Sequence, residues 1–220
     1  MKARYLLAVA GLLLAGLAAR HRSLAALVRQ NMRSLCITRL AAQQTGTCDP
    51  PYVFSGGWRL CDLLWPVPGD AMPTGEILLD TARLSAGGAY WPKTDSWRTQ
   101  KQIVHKGRVV LWWNSVIAVP LDLPVGLYRL QLHGVNDRPG PVLLHLSASG
   151  EPLGILRFDR DDDSWETKCV LLHPMHWPQG GDREAPLTLS IAFINDGGPK
   201  GSRDAYIDWV RLIPLSVQRQ

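Results

Sequence analysis

The brevity of its apolar runs limits this chain more than any other feature. From residue 76 onward they are short, they are separated by turn-forming sequence, and no helical pattern intervenes. The segment 187–213 is the clearest case. Leu187, Leu189, Ile191 and Phe193 alternate with Thr188, Ser190 and Ala192, the period of a half-buried strand. A polar loop from Asn195 to Arg203 follows, rich in glycine. A second apolar run then leaves through Asp204, Tyr206, Asp208 and Trp209.

The same reading predicts strands near 77–80, 108–112, 115–121, 127–133, 142–147, 153–158, 167–173, 186–194 and 205–213. In GLYRLQLHG, Tyr128, Leu130 and Leu132 face one way and Arg129, Gln131 and His133 the other. Asn136 to Gly140 is a strong loop signal before PVLLHLS. A parallel α/β sheet needs helices between its strands, so it is excluded. The predicted fold is all-β: a two-sheet antiparallel sandwich of jelly-roll type.

What precedes the sandwich differs in kind. Lys2 and Arg4 lead an apolar run from Tyr5 to Ala19 that stops at Arg20, His21 and Arg22. It is short for a bilayer span and suits a secretory signal, or an anchor stretched by snorkelling of Arg4 and Arg20. A buried core helix and an organelle transit peptide are the remaining readings. Residues 22–42 read as a basic amphipathic helix, with Leu24, Leu27, Val28, Met32, Leu35 and Leu40 mostly at three- and four-residue spacings and Arg22, Arg29 and Arg33 sharing another face. A membrane surface, the domain or a stalk would each use it. The expected organisation is a signal peptide or anchor over 1–22, an amphipathic helix or stalk over 23–45, an irregular segment over 46–75, and a sandwich over 76–215.

The formal charge of +5 belongs to the N-terminus. No acidic residue precedes Asp49, and seven basic ones do. Without them the chain keeps 17 basic residues against 19 acidic. A near-neutral domain offers no clustered positive face for nucleic acid. Cys36, Cys48, Cys61 and Cys169 have no CxxC spacing, which argues against a zinc knuckle or thioredoxin-type site. In an exported chain Cys48 and Cys61 could close a small loop; buried free thiols are the alternative.

Residues 76–215 resemble the calcium-dependent xylan-binding module family and its relatives. The resemblance rests on GEILLDTARLSAGGA, VVLWWNSVIAVPLDLP, GLYRLQLHG, HLSASGEPLGILRF, DSWETKCVLL and IAFINDGG…RDAYIDWVRL, in that order. It implies a non-catalytic β-sandwich that binds polysaccharide, with Ca²⁺ held in the closing loop and met by sugar hydroxyls. Asn195 and Asp196 match the family's first Asn-Asp pair. The second element reads Ser202-Arg203-Asp204, with Ser202 in place of a ligand Asp and Asp204 in place of Asn. The calcium ligands that the resemblance implies are Asp196 and Asp204, since i and i+2 positions of an extended chain let Asp204 compensate for Ser202.

Other groupings are weaker. Asp159, Asp161 and Asp163 have the opening spacing of an EF-hand, but Ser164 and Val170 stand where Gly and Glu are needed. A glycosidase requires two facing carboxyls, and nothing selects a pair from Asp159, Asp161–Asp163, Glu166, Asp196, Asp204 and Asp208. Cys169, His173 and His176 read as a strand end with surface histidines rather than a metal site. His133 and His145 are candidate neighbours on adjacent strands. Trp112, Trp113, Trp165 and Trp209 read as core. Tyr90, Trp91 and Trp97, in a polar stretch, are candidate platforms for sugar rings.

The sequence thus points to an exported, membrane-tethered sandwich that binds a cell-envelope or extracellular polysaccharide without altering it. Asn195, Asp196, Asp204, Tyr90, Trp91 and Trp97 are the binding candidates. The rival reading is a structural or assembly subunit of a membrane-protein complex that has lost its sugar site.

Overall fold

The computed structural model describes residues 24–44, 46–48, 59–66, 75–137, 140–159, 165–177, 186–197 and 203–215. The expected signal segment, the EF-hand-like Asp161 and Asp163, and Ser202 lie outside them. The chain divides into two compact units, 1–36 and 37–220. Helix α1 covers 24–43. Among the described residues no helix is long and apolar enough to cross a membrane.

Within the second unit the elements run α2 (Arg59–Leu64), β1 (Ile77–Leu79), α3 (Thr81–Ser85), β2 (Ala89–Trp91), β3 (Ser96–Arg98), α4 (Gln100–Ile103), β4 (Val104–His105), β5 (Arg108–Leu111), β6 (Val116–Leu121), β7 (Tyr128–Asn136), β8 (Val142–Ala148), β9 (Glu151–Phe158), β10 (Glu166–Leu172), β11 (Leu187–Phe193) and β12 (Ala205–Pro214). One sheet has the order β10-β7-β12-β5-β4, with β1 also paired to β12; the other has the order β3-β2-β6-β11-β8-β9. Every pairing is antiparallel. The fold is the two-sheet antiparallel sandwich that the alternation predicts.

Period-2 patterning places the core between the sheets. Tyr128, Leu130 and Leu132 of β7 are buried with Leu187, Leu189, Ile191 and Phe193 of β11, while their sequence neighbours face outward. The Tyr128 hydroxyl donates to the Pro124 carbonyl at 2.9 Å, which pins the β6–β7 connection. In β12 the register shifts between Ile207 and Trp209, so Asp208 is the extra residue of a bulge.

Consecutive strands do not always pair. β7 and β8 belong to different sheets, so His133 and His145 are not cross-strand neighbours. The cause is the loop after Asn136, which crosses from one layer to the other instead of turning back as a hairpin. The cysteine expectations also change. Cys48 is bonded to Cys169, not to Cys61, and no cysteine is free.

The Cys48 bond completes a strap over the open edge of β10. Gln44 presents its side-chain amide to Leu171, accepting from the backbone N–H at 3.1 Å and donating to the carbonyl at 3.4 Å. Two residues on, the Gly46 carbonyl accepts from Cys169 N–H at 2.9 Å. An amide side chain and one carbonyl thus stand in for a neighbouring strand, satisfying edge groups that would otherwise recruit another chain.

Candidate functional site

Three connections meet at one end of the sandwich: the β5–β6 turn, the β7–β8 loop and the β11–β12 loop. Backbone bonds start the assembly, with Phe193 N–H donating to Ser115 O at 3.0 Å and Ile194 N–H to Leu143 O at 3.1 Å. Side chains finish it. Asn195 accepts from Leu143 N–H at 2.7 Å and donates to Pro141 O at 2.8 Å, so its amide clamps the β7–β8 loop. Arg203 donates to the same carbonyl at 2.9 Å. Asp196 N–H donates to Asn114 Oδ1 at 2.9 Å, and Asp204 N–H donates to Asp137 Oδ1 at 2.9 Å. Asn195, Asp196 and Asp204 are therefore each tied to the connections at this end.

The β5–β6 turn contributes most to this end. Trp113 and Asn114 both adopt the left-handed conformation, φ 50° and 57°. For a bulky side chain that is a strained state, retained only where surrounding contacts hold it. Asn114 is held by Asp196. Trp113 meets Trp91 edge-on with centroids 4.8 Å apart, yet it remains 44% exposed. The sequence reading placed Trp113 in the core. Its turn conformation directs it outward, and the legible signal was Trp-Asn between two strand patterns, where Asn tolerates the left-handed region.

The three aromatics proposed from the polar stretch separate. Trp91 is 6% exposed, because β2 turns it inward between Trp112, Trp113 and the Arg98 guanidinium, which lies 3.9 Å from its ring centre. Its neighbours in the hairpin face outward. Tyr90 and Trp97 are cross-strand partners with centroids 5.6 Å apart, and Trp97 is 63% exposed. Tyr90 pairs with Val116, the residue after Ser115, so these rings stand beside the β5–β6 turn. The Tyr90 hydroxyl donates to Asp95 at 2.8 Å, and that carboxylate raises the phenol pKa above its ordinary value.

Beneath the rim lie oxygens that lack hydrogen-bond partners among the described residues. They are Ser115 Oγ, Asn136 Oδ1 and Asp196 Oδ1, and both Ser115 and Asn136 are fully buried. Asn136 uses its amide N–H on Gly140 O at 2.6 Å. Unpaired buried oxygens are costly, so they are places where a hydroxyl, water or cation would be stabilised. Calcium wants six to eight oxygens with strong carboxylate character. Among the described residues no group of three or more His, Cys, Asp or Glu lies together. A cation at this end would depend on Asp196 and Asp204 with neutral oxygens.

The other groupings resolve without a second site. Cys169 is in a disulfide. His173 and His176 are fully buried rather than on the surface, and a 3-10 turn at Pro174–His176 brings the His176 Nδ1 within 2.9 Å of His173 O. Trp165 and Trp209 are not core residues either. Both stack on His133 on the outer face of β7 and β12, at 5.2 Å and 4.9 Å. Burial lowers the His133 pKa; Asp208 opposes this and Arg108 adds to it. Asp159 pairs with Arg157, Glu166 with Lys168, and Asp208 sits in the β12 bulge, so these carboxylates belong to separate places.

No protein-family model and no curated protein matches the chain. Solved structures do resemble it. A family 36 carbohydrate-binding module of a multidomain xylanase from the hindgut metagenome of Trinervitermes trinervoides aligns over all of its own length and 65% of this chain, with 18% identity and a TM-score of 0.45. A family 36 module in complex with calcium and xylotriose aligns over 98% of its length and 62% of this chain, at 15% identity and a TM-score of 0.42. The C-terminal family 6 module of a marine laminarinase from Zobellia galactanivorans aligns over 99% and 63%, at 11% identity and 0.38. At these values the likeness carries no argument about this chain.

Proposed function

We propose that this sandwich binds a cell-envelope or extracellular polysaccharide, without altering it, at the end where Trp113, Trp97 and Tyr90 border the Asn195–Asp204 loop. Trp113 carries the reading. A bulky residue held in a strained conformation and left 44% exposed is explained by a ligand that uses its ring. Sugar rings present apolar C–H faces, and an indole supplies a flat apolar surface of matching size. Asp196 would accept hydrogen bonds from sugar hydroxyls, while Asn195 positions the loop. Asp204 stands at the other end of the same loop.

Calcium is a subordinate part of this proposal. Asp196 and Asp204 would hold it, and its contribution would be to draw hydroxyl oxygens to the loop. Export is a second part. Disulfides persist in oxidising compartments, which suits a chain whose cysteines are all bonded. The apolar N-terminal run would then direct export or provide a tether.

A glycan array with affinity gels tests the binding. Retardation by at least one polysaccharide is expected, and loss of it in EDTA would assign calcium a role. Thermal melting with and without Ca²⁺ tests the cation alone, since a ligand of the folded state raises the melting temperature. Asp196→Ala should abolish any such rise. Absence of binding to every polysaccharide would end the proposal.

A further inference from the structure

Helix α1 has two apolar sides. Near its C-terminal end Cys36, Ile37 and Leu40 are buried. Leu24, Leu27, Val28 and Leu35 lie on the other side and are 57%, 54%, 54% and 61% exposed. At about 100° per residue, Leu27 and Val28 fall one turn beyond Leu24, and Leu35 falls on the same line two turns later. Four large aliphatic side chains in one exposed stripe are an unpartnered face rather than scattered surface residues.

We propose that this stripe lies in the interface of an anionic phospholipid bilayer, with the helix axis along the membrane plane. Three observations select lipid as the occupant. Residues 1–48 hold seven basic side chains and no acidic one, which complements anionic headgroups. The same charge opposes pairing of two such helices from separate copies. The uninterrupted apolar run from Tyr5 to Ala19 ends five residues before Leu24 in the sequence, and the exposed Arg39 follows the stripe. An amphipathic helix with basic flanks lies on a membrane rather than crossing it. The inference goes beyond the polysaccharide reading and stands if that reading fails.

The test uses the full chain, methyl-labelled at Leu, Val and Ile, with phosphatidylcholine–phosphatidylglycerol nanodiscs containing nitroxide-labelled lipid. The methyl signals of Leu24, Leu27, Val28 and Leu35 should broaden several-fold more than those of Leu78 and Ile155. Those two residues are 47% and 49% exposed, so they control for exposure alone. Replacing the phosphatidylglycerol by phosphatidylcholine should weaken the broadening. The triple variant Leu24→Asp/Leu27→Asp/Leu35→Asp should lower the vesicle partition coefficient about tenfold or more with unchanged melting, because none of these side chains is in the core. Stripe signals broadened no more than the controls would overturn the inference. So would a stripe protected by self-association in the absence of lipid.

Discussion

Gly88 leads into β2 with φ +71°, and a methyl group on it would run into the Arg98 carbonyl. Gly88→Ala should therefore cost about 2–4 kcal/mol in urea unfolding, and Trp91 should become accessible to quenchers. Asn195 is as constrained by its bonds as Gly88 is by space. Asn195→Ala leaves Leu143 N–H without its acceptor, an expected loss of about 1–3 kcal/mol by the same measurement. His133 carries a pH dependence. Its folded pKa lies below the ordinary 6.5, so the unfolded chain takes up a proton more readily. Stability should fall as pH drops below about 6.5 and level off once it passes the lowered folded value. His133→Phe should lose less melting temperature than the parent between pH 7.5 and about pH 5.5.

The strap over β10 shows how an element outside the predicted domain completes it. Joining residues 121 apart constrains the unfolded chain strongly. Replacing both Cys48 and Cys169 by Ser should cost about 4–5 kcal/mol in the chain-entropy view, read by denaturant unfolding. Faster hydrogen exchange at the backbone amides of position 169 and Leu171 should accompany it, since Gly46 and Gln44 cover those amides. Nothing in 44–48 announces this role, because a strap carries no periodicity and its partners are distant in sequence. The long strands were legible for the opposite reason: β6, β7, β8 and β11 each repeat the alternation several times. Strands β2, β3 and β4 have three residues or fewer, too few to display a period. Helix α4 was legible in principle. Thr99 and Gln102 form a reciprocal capping box, with Thr99 N–H donating to Gln102 at 2.9 Å, but four helical residues give little pattern beyond that cap.

For the whole molecule, the sheets follow from alternation and the site follows from how the loops meet. Leu187 to Phe193 declared a strand, and the glycine-rich loop after it declared a connection. Neither indicated that Asn114 would hold Asp196, a contact between residues 82 apart. Trp113 was misassigned for a related reason. Composition favours burial of Trp, whereas a left-handed turn turns its ring to the surface. The central claim is that this end of the sandwich holds a sugar chain, with Trp113 as its platform. Affinity electrophoresis of the parent, Trp113→Ala and Trp165→Ala through gels containing soluble polysaccharides tests it directly. The account predicts that the parent and Trp165→Ala are retarded by the same polysaccharide and that Trp113→Ala runs as in an empty gel. Equal retardation of all three proteins, or none of any, would contradict it.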